Sequence, residues 1–193
     1  MIRSFAVLSL FLVSACASVD ATQKRLSSLQ GTYADAPTGY AYGQAFGHRT
    51  FTFENGKWTL RFTLALDPEF KVPVFDFRTR GSYQVLGPSS AVPGAYEADF
   101  TEDAKYLTLR TSDARLIEAF GFGACALTPN AEKDVSVEGC LGWKPVSVCP
   151  TDHDLLALTP EGGVRFGQRP QDNDLCTAEK RPVALTPAVL PTP

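Results

Sequence analysis

The stretch VPVFDFRTRGSYQVLGPSSAVPGAYEADF, Val72 to Phe100, decides the fold. From Val74 to Val85 its residues alternate. Phe75, Phe77, Thr79, Gly81, Tyr83 and Val85 share one face, and Asp76, Arg78, Arg80, Ser82 and Gln84 share the other. This period of two predicts a half-buried antiparallel strand. The corner Gly87 to Gly94 holds two prolines, which cannot donate to a ladder, and two glycines, which accept positive φ. The chain turns there and a second strand starts at Ala95.

Upstream, Arg49 to Phe53 alternates, Glu54-Asn55-Gly56-Lys57 reads as a tight hairpin, and Trp58 to Leu66 returns with Trp58, Leu60, Phe62, Leu64 and Leu66 on one face. Downstream, Tyr106 to Arg110 reads as a further short strand. The period then changes. Asp113 to Gly121 predicts one short helix, with Ser112 or Asp113 as N-cap and Gly121 just past its end. Asp154 to Leu158 and Val164 to Phe166 predict a second hairpin. With 14 prolines and 15 glycines spread along 193 residues, and 13 Phe, 6 Tyr and 2 Trp to fill a core, the composition points to a single all-β domain. The expected architecture is an antiparallel β-barrel or half-open barrel over residues 30–185, with one short helix and a disulfide-tied C-terminal region. Residues 186–193, the proline-rich TPAVLPTP, are expected to be a disordered tail.

The N-terminus reads as an export signal. Met1-Ile2-Arg3-Ser4 precedes an apolar run from Phe5 to Val13 that is too short to span a bilayer. Val13-Ser14-Ala15-Cys16 then resembles a bacterial lipobox. On this reading residues 1–15 are a lipoprotein signal peptide, Cys16 carries the acyl anchor, and residues 16–29 form a linker or short helix that lifts the domain from a membrane. Ala15-Cys16-Ala17 also fits ordinary secretion with cleavage after Ala17. Both readings place the protein in the cell envelope or outside it. Ala17 and Ser18, in place of an Asp after Cys16, suit outer-membrane sorting, periplasmic face.

The formal charge is −3, and −4 once Arg3 leaves with the signal (−3 − 1), which argues against nucleic acid as a partner. Cys125, Cys140, Cys149 and Cys176 form an even set in the C-terminal half. In an oxidising compartment they predict two disulfides with three possible connectivities, Cys125 with Cys140 and Cys149 with Cys176 being preferred as sequence neighbours. The absence of a close C-x₂₋₄-C pair disfavours zinc, and no metal or other cofactor is expected.

The two histidines, His48 and His153, accompany neither a nucleophile elbow nor a metal-binding spacing, so catalysis is not expected. Glu97 and Asp99 share one strand face and would matter as a carboxylate pair only if that face lined the barrel. The inward aromatics leave two readings open. Trp58, Phe62, Phe75, Phe77, Tyr83 and Phe100 are either a solid core or, with Gly81 and Thr79 making room among them, the lining of a ligand pocket.

Several motifs resemble the bacterial branch of the domain family named after the adenomatosis polyposis coli down-regulated protein, the APCDD domain. They are Arg49-Thr50-Phe51-Thr52-Phe53, Gly81-Ser82-Tyr83, Gly87-Pro88-Ser89, Val92 to Phe100, and Phe166-Gly167-Gln168-Arg169-Pro170 leading into Leu175-Cys176-Thr177 and Lys180-Arg181-Pro182. The resemblance runs from about Leu29 to Leu185. It implies a barrel whose apolar interior accepts a lipid chain. Animal members carry two copies and antagonise lipid-modified Wnt signals, whereas this chain has one copy and lacks their cysteine in the loop Asp67 to Pro73. The expected function is therefore a lipoprotein whose barrel binds a hydrophobic ligand such as a fatty acid or lipid acyl chain. The alternative is an envelope interaction protein with a filled core.

Overall fold

The computed structural model describes residues 21–193, so the signal peptide, Cys16 and the first part of the linker lie outside the described residues. Residues 21–27 form a helix, α1. The strands that follow are β1 (Gly31–Ala34), β2 (Tyr40–Tyr42), β3 (Ala45–Glu54), β4 (Lys57–Ala65), β5 (Pro73–Pro88) and β6 (Tyr96–Leu109). A short helix α2 (Ala114–Ala119) precedes β7 (Glu132–Asp134), β8 (Thr151–Leu158), β9 (Val164–Phe166) and β10 (Leu190–Pro191). All pairings are antiparallel, in the order β10-β1-β3-β4-β5-β6-β8-β9, with β2 added to β3 and β7 to β6.

The expected hairpin is present. Asn55 and Gly56 both adopt positive φ, at 51° and 75°, as a two-residue turn that matches strand twist requires. The β3–β4 ladder then runs in register from Glu54↔Lys57 to Phe46↔Ala65. The disulfides are Cys125–Cys140 and Cys149–Cys176, and such bonds belong to oxidising compartments.

Three expectations are corrected. The tail is ordered and nearly closes the barrel. Val189 exchanges backbone hydrogen bonds with Val164 of β9, while Leu190 and Pro191 pair with Ala34 and Tyr33 of β1. Arg49 fastens the tail: its Nη1 donates to Thr186 Oγ1 at 2.6 Å and its Nη2 to the Pro187 carbonyl at 2.9 Å, while Asp35 accepts from its Nε and Nη2.

The segment expected to be a linker or short helix standing between domain and membrane is helical over residues 21–27 and packs onto the barrel. Leu26 and Leu29 are buried, and the Tyr83 hydroxyl donates to the Leu26 carbonyl and accepts from the Leu29 N–H, each at 3.0 Å.

The two strands expected at Ala95–Phe100 and Tyr106–Arg110 are one. β6 runs through both, with a bulge between them: Arg80 faces Ala104 and Gly81 faces Glu102, which leaves Asp103 as the extra residue. A bulge shifts the parity of everything beyond it. Tyr96, Ala98, Phe100 and Glu102 point inward before it, and Lys105, Leu107 and Leu109 after it.

Candidate functional site: the barrel interior

The interior divides along the barrel axis. At one end Phe53, Tyr83, Leu26 and Leu29 make a packed floor, with the Phe53 and Tyr83 rings 5.1 Å apart at an edge and Tyr83 stacked on Phe100 at 5.7 Å. Above it lies a cavity of about 1090 Å³. Its outer part is lined by the β2–β3 hairpin (Tyr40 to Ala45), Leu66, Phe120, the 142–144 loop and the 168–173 loop. An eight-stranded barrel has an interior that side chains can fill or that can hold one small ligand, and here it is only partly filled.

The walls differ in chemistry. Strands β3 to β5 present Phe51, Trp58, Leu60, Phe62, Leu64, Phe75 and Phe77 to the cavity. Alternation puts these residues inward, and cross-strand pairing aligns Leu60 with Thr79, Phe62 with Phe77 and Leu64 with Phe75. Trp143, which exchanges backbone hydrogen bonds with the disulfide-bonded Cys140, covers this wall at 5.2 Å from Phe75 and 5.4 Å from Phe77.

The opposite wall, from β6, β8 and the loop after β9, carries charge. Because of the bulge, Glu102 and Lys105 face the same way, with Lys105 Nζ 2.6 Å from Glu102 Oε2. Thr79 Oγ1 donates to the other carboxylate oxygen at 2.9 Å, and Lys105 Nζ also reaches the Lys144 carbonyl at 3.1 Å. Asp152 and Asp154, two apart on β8, both point inward, and Asp152 pairs with Arg169. Burial pushes the Asp154 carboxyl up to about 6, against the pull of Arg169. Glu102 is raised as well, by burial first and then by the Asp152 charge, with Lys105 opposing.

Of the residues expected to line a pocket, Trp58, Phe62, Phe75, Phe77 and Phe100 do so. Gly81 and Tyr83 do not. A Cβ on Gly81 would lie 1.7 Å from the Thr101 carbonyl oxygen, so this glycine lets β5 and β6 approach at the bulge and opens no space. Trp58 Nε1 donates to that same carbonyl at 3.2 Å and to Ser82 O at 3.1 Å. Tyr83 belongs to the floor. Thr79 is fully buried under Glu102.

The charged wall was missed by sequence reading. Its only signal was the parity break between Phe100 and Leu107, together with Asp152 and Asp154 at an interval of two beside a strand. Cys149–Cys176 borders this wall and ties the start of β8 to the loop that carries Arg169.

Glu97 and Asp99 face away from the cavity. Arg181 Nε lies 3.6 Å from Glu97 and its Nη2 3.0 Å from Asp99, which also meets His153 Nδ1 at 2.8 Å. His48 packs edge-on against Phe70 at 5.7 Å.

Fold and interior together define a class: a small antiparallel β-barrel, stapled by two disulfides and holding an internal cavity with one apolar and one charged wall. Compared with known proteins, the chain matches no family and no curated protein.

Proposed function

We propose that the barrel binds a hydrophobic ligand carrying an acyl chain, and that the protein works as a non-catalytic carrier in the cell envelope. One observation carries this reading: a cavity of about 1090 Å³ whose β3–β5 wall is aromatic and aliphatic from Trp58 at the floor to Leu64 and Phe75 near the mouth. Apolar cavities of several hundred Å³ with a few convergent polar groups are the usual form of a small-molecule site. Transfer of an alkyl chain from water into such a space gains about 0.8 kcal/mol per methylene. Membership of the APCDD domain family is part of the same proposal, supported by the Val92 to Phe100 and Phe166 to Pro170 motifs. So is attachment to the outer membrane through acylated Cys16, supported by the lipobox-like Val13-Ser14-Ala15-Cys16 and by two disulfides that suit an oxidising compartment.

Native mass spectrometry of the protein purified from an oxidising compartment, followed by organic extraction, tests the carrier reading. A lipid or fatty acid at near-stoichiometric amount is the expected result. A ligand-free barrel that also takes up no fluorescent fatty-acid derivative would return the protein to the alternative class, an envelope interaction protein acting through its surface. The anchor has a separate test: Cys16→Ser should yield soluble, unacylated protein, and continued membrane attachment would count against lipidation.

A further inference from the structure

We infer that the charged wall selects the ligand's head group, and that this head is an uncharged polyol, a glycerol-like or sugar-like group that donates hydroxyl hydrogens to Asp152 and Asp154 and accepts from Arg169. The inference rests on the acyl-chain reading and sharpens it.

The geometry is specific. Asp154 is 6 % exposed, and it borders the cavity. Its Oδ1 accepts from the Leu155 N–H at 2.7 Å and the Gly167 N–H at 2.9 Å, while its Oδ2 receives no hydrogen bond from any described residue. The arrangement is built around this carboxylate. A Cβ at Gly167 would come within 2.3 Å of Oδ1, so the backbone there can close on the carboxylate only with glycine.

Asp152 is in a similar state. Its Oδ2 takes Arg169 Nη2, and the one hydrogen-bond contact of its Oδ1 among the described residues is Cys149 Sγ at 4.0 Å. That sulfur is bound to Cys176 and has no proton to give. Asp152 and Asp154 therefore each bring to the cavity lining a carboxylate oxygen that takes no hydrogen from a described residue and can accept one from a ligand. Arg169 gives Nη1 to Asn173 and Nη2 to Asp152, and its Nε has no acceptor among the described residues.

These needs discriminate among head groups. A free fatty-acid carboxylate brings no hydrogen to the two oxygens. Beside Asp152 and Asp154 it would place a further negative charge, and the neighbouring cations Lys105 and Arg169 are already paired with Glu102 and Asp152. An alkylammonium brings hydrogens but meets the guanidinium. Vicinal hydroxyls can donate to carboxylates and accept from Arg169 Nε at once, without importing charge into a poorly solvated site. The apolar β3–β5 wall across the cavity is left for the chain.

The test is competition at pH 8 on the full protein, with a bound fluorescent long-chain ester as probe and 1-monoolein, oleic acid and oleylamine as competitors. The three share one chain and differ in head. The inference expects 1-monoolein to displace the probe at a concentration at least tenfold below that of either rival. Asp154→Asn, which replaces an acceptor by a donor, should shrink the advantage over oleic acid to less than threefold while the probe still binds. Oleic acid equal to or better than 1-monoolein would overturn the head-group assignment and leave acyl binding intact. Oleylamine in first place would overturn it in favour of a cationic head. Failure of the probe and all three competitors to bind would overturn the acyl-chain reading, and this inference with it. The ranking on the unmodified protein decides the matter even if the variant does not fold.

Discussion

The two walls of the cavity are built from the same strand geometry and are held together in different ways. On the β3–β5 side each inward residue contributes burial and packing, so losses there are graded. On the β6–β8 side Glu102 pairs with Lys105 and Asp152 with Arg169, and removing one member of a pair strands the other. Packing tolerates subtraction, whereas a buried ion pair fails as a unit.

The contrast predicts its own largest breakage. Lys105→Met leaves Glu102 in a dry site with only the Thr79 hydroxyl, and should cost about 3–5 kcal/mol in chemical denaturation. Lys105→Met combined with Glu102→Leu should recover most of that loss, because a pair of apolar residues carries no stranded charge. A double variant no more stable than the single one would show that the pair does more than cancel itself.

Within the apolar side the comparison can be sharpened by depth. Phe53 is 1 % exposed in the packed floor, and Phe53→Ala should cost about 3–5 kcal/mol. Phe62 is half-buried beside open space, and Phe62→Ala should cost only about 1–2 kcal/mol while weakening ligand uptake. Equal costs would mean that the upper barrel is as solid as its floor.

Much of the apolar wall was legible because β3, β4 and most of β5 keep strict alternation and the Asn55-Gly56 turn fixes their register. The charged wall was hidden by one residue. The bulge at Asp103 breaks the period between Phe100 and Leu107, and a broken period reads as a loop when the chain in fact continues as strand. The closing strand was hidden for a different reason. Its proline-rich composition argues for disorder locally, while its order comes from partners far off in sequence: Val164, Ala34 and the Arg49 guanidinium. Gly81 was misread because a small inward residue can mark either empty space or a close backbone approach, and only the Thr101 carbonyl distinguishes the two. A cavity-filling substitution therefore belongs at Leu60 and Leu64 and not at Gly81.

A last expected effect concerns pH. The Asp154 carboxyl titrates near 6 in the folded protein against an ordinary 3.8, so folding takes up a proton between those values. Its ionisation weakens the fold above about pH 6, and that weakening is relieved as pH falls toward 4. The stability of the natural protein minus that of Asp154→Asn should accordingly rise by about 1–3 kcal/mol between pH 7 and pH 4.5. A flat difference would place Asp154 in contact with solvent.

The most direct test uses the protein's own reporters. Both tryptophans, Trp58 and Trp143, line the cavity, one at its floor and one beneath its mouth. Titration with a fluorescent long-chain ester should therefore give saturable energy transfer from tryptophan at one ligand per barrel. Leu60→Phe combined with Leu64→Phe should abolish that transfer with the fold intact by circular dichroism. Transfer that does not saturate, or that persists unchanged in the folded double variant, would contradict an internal binding site.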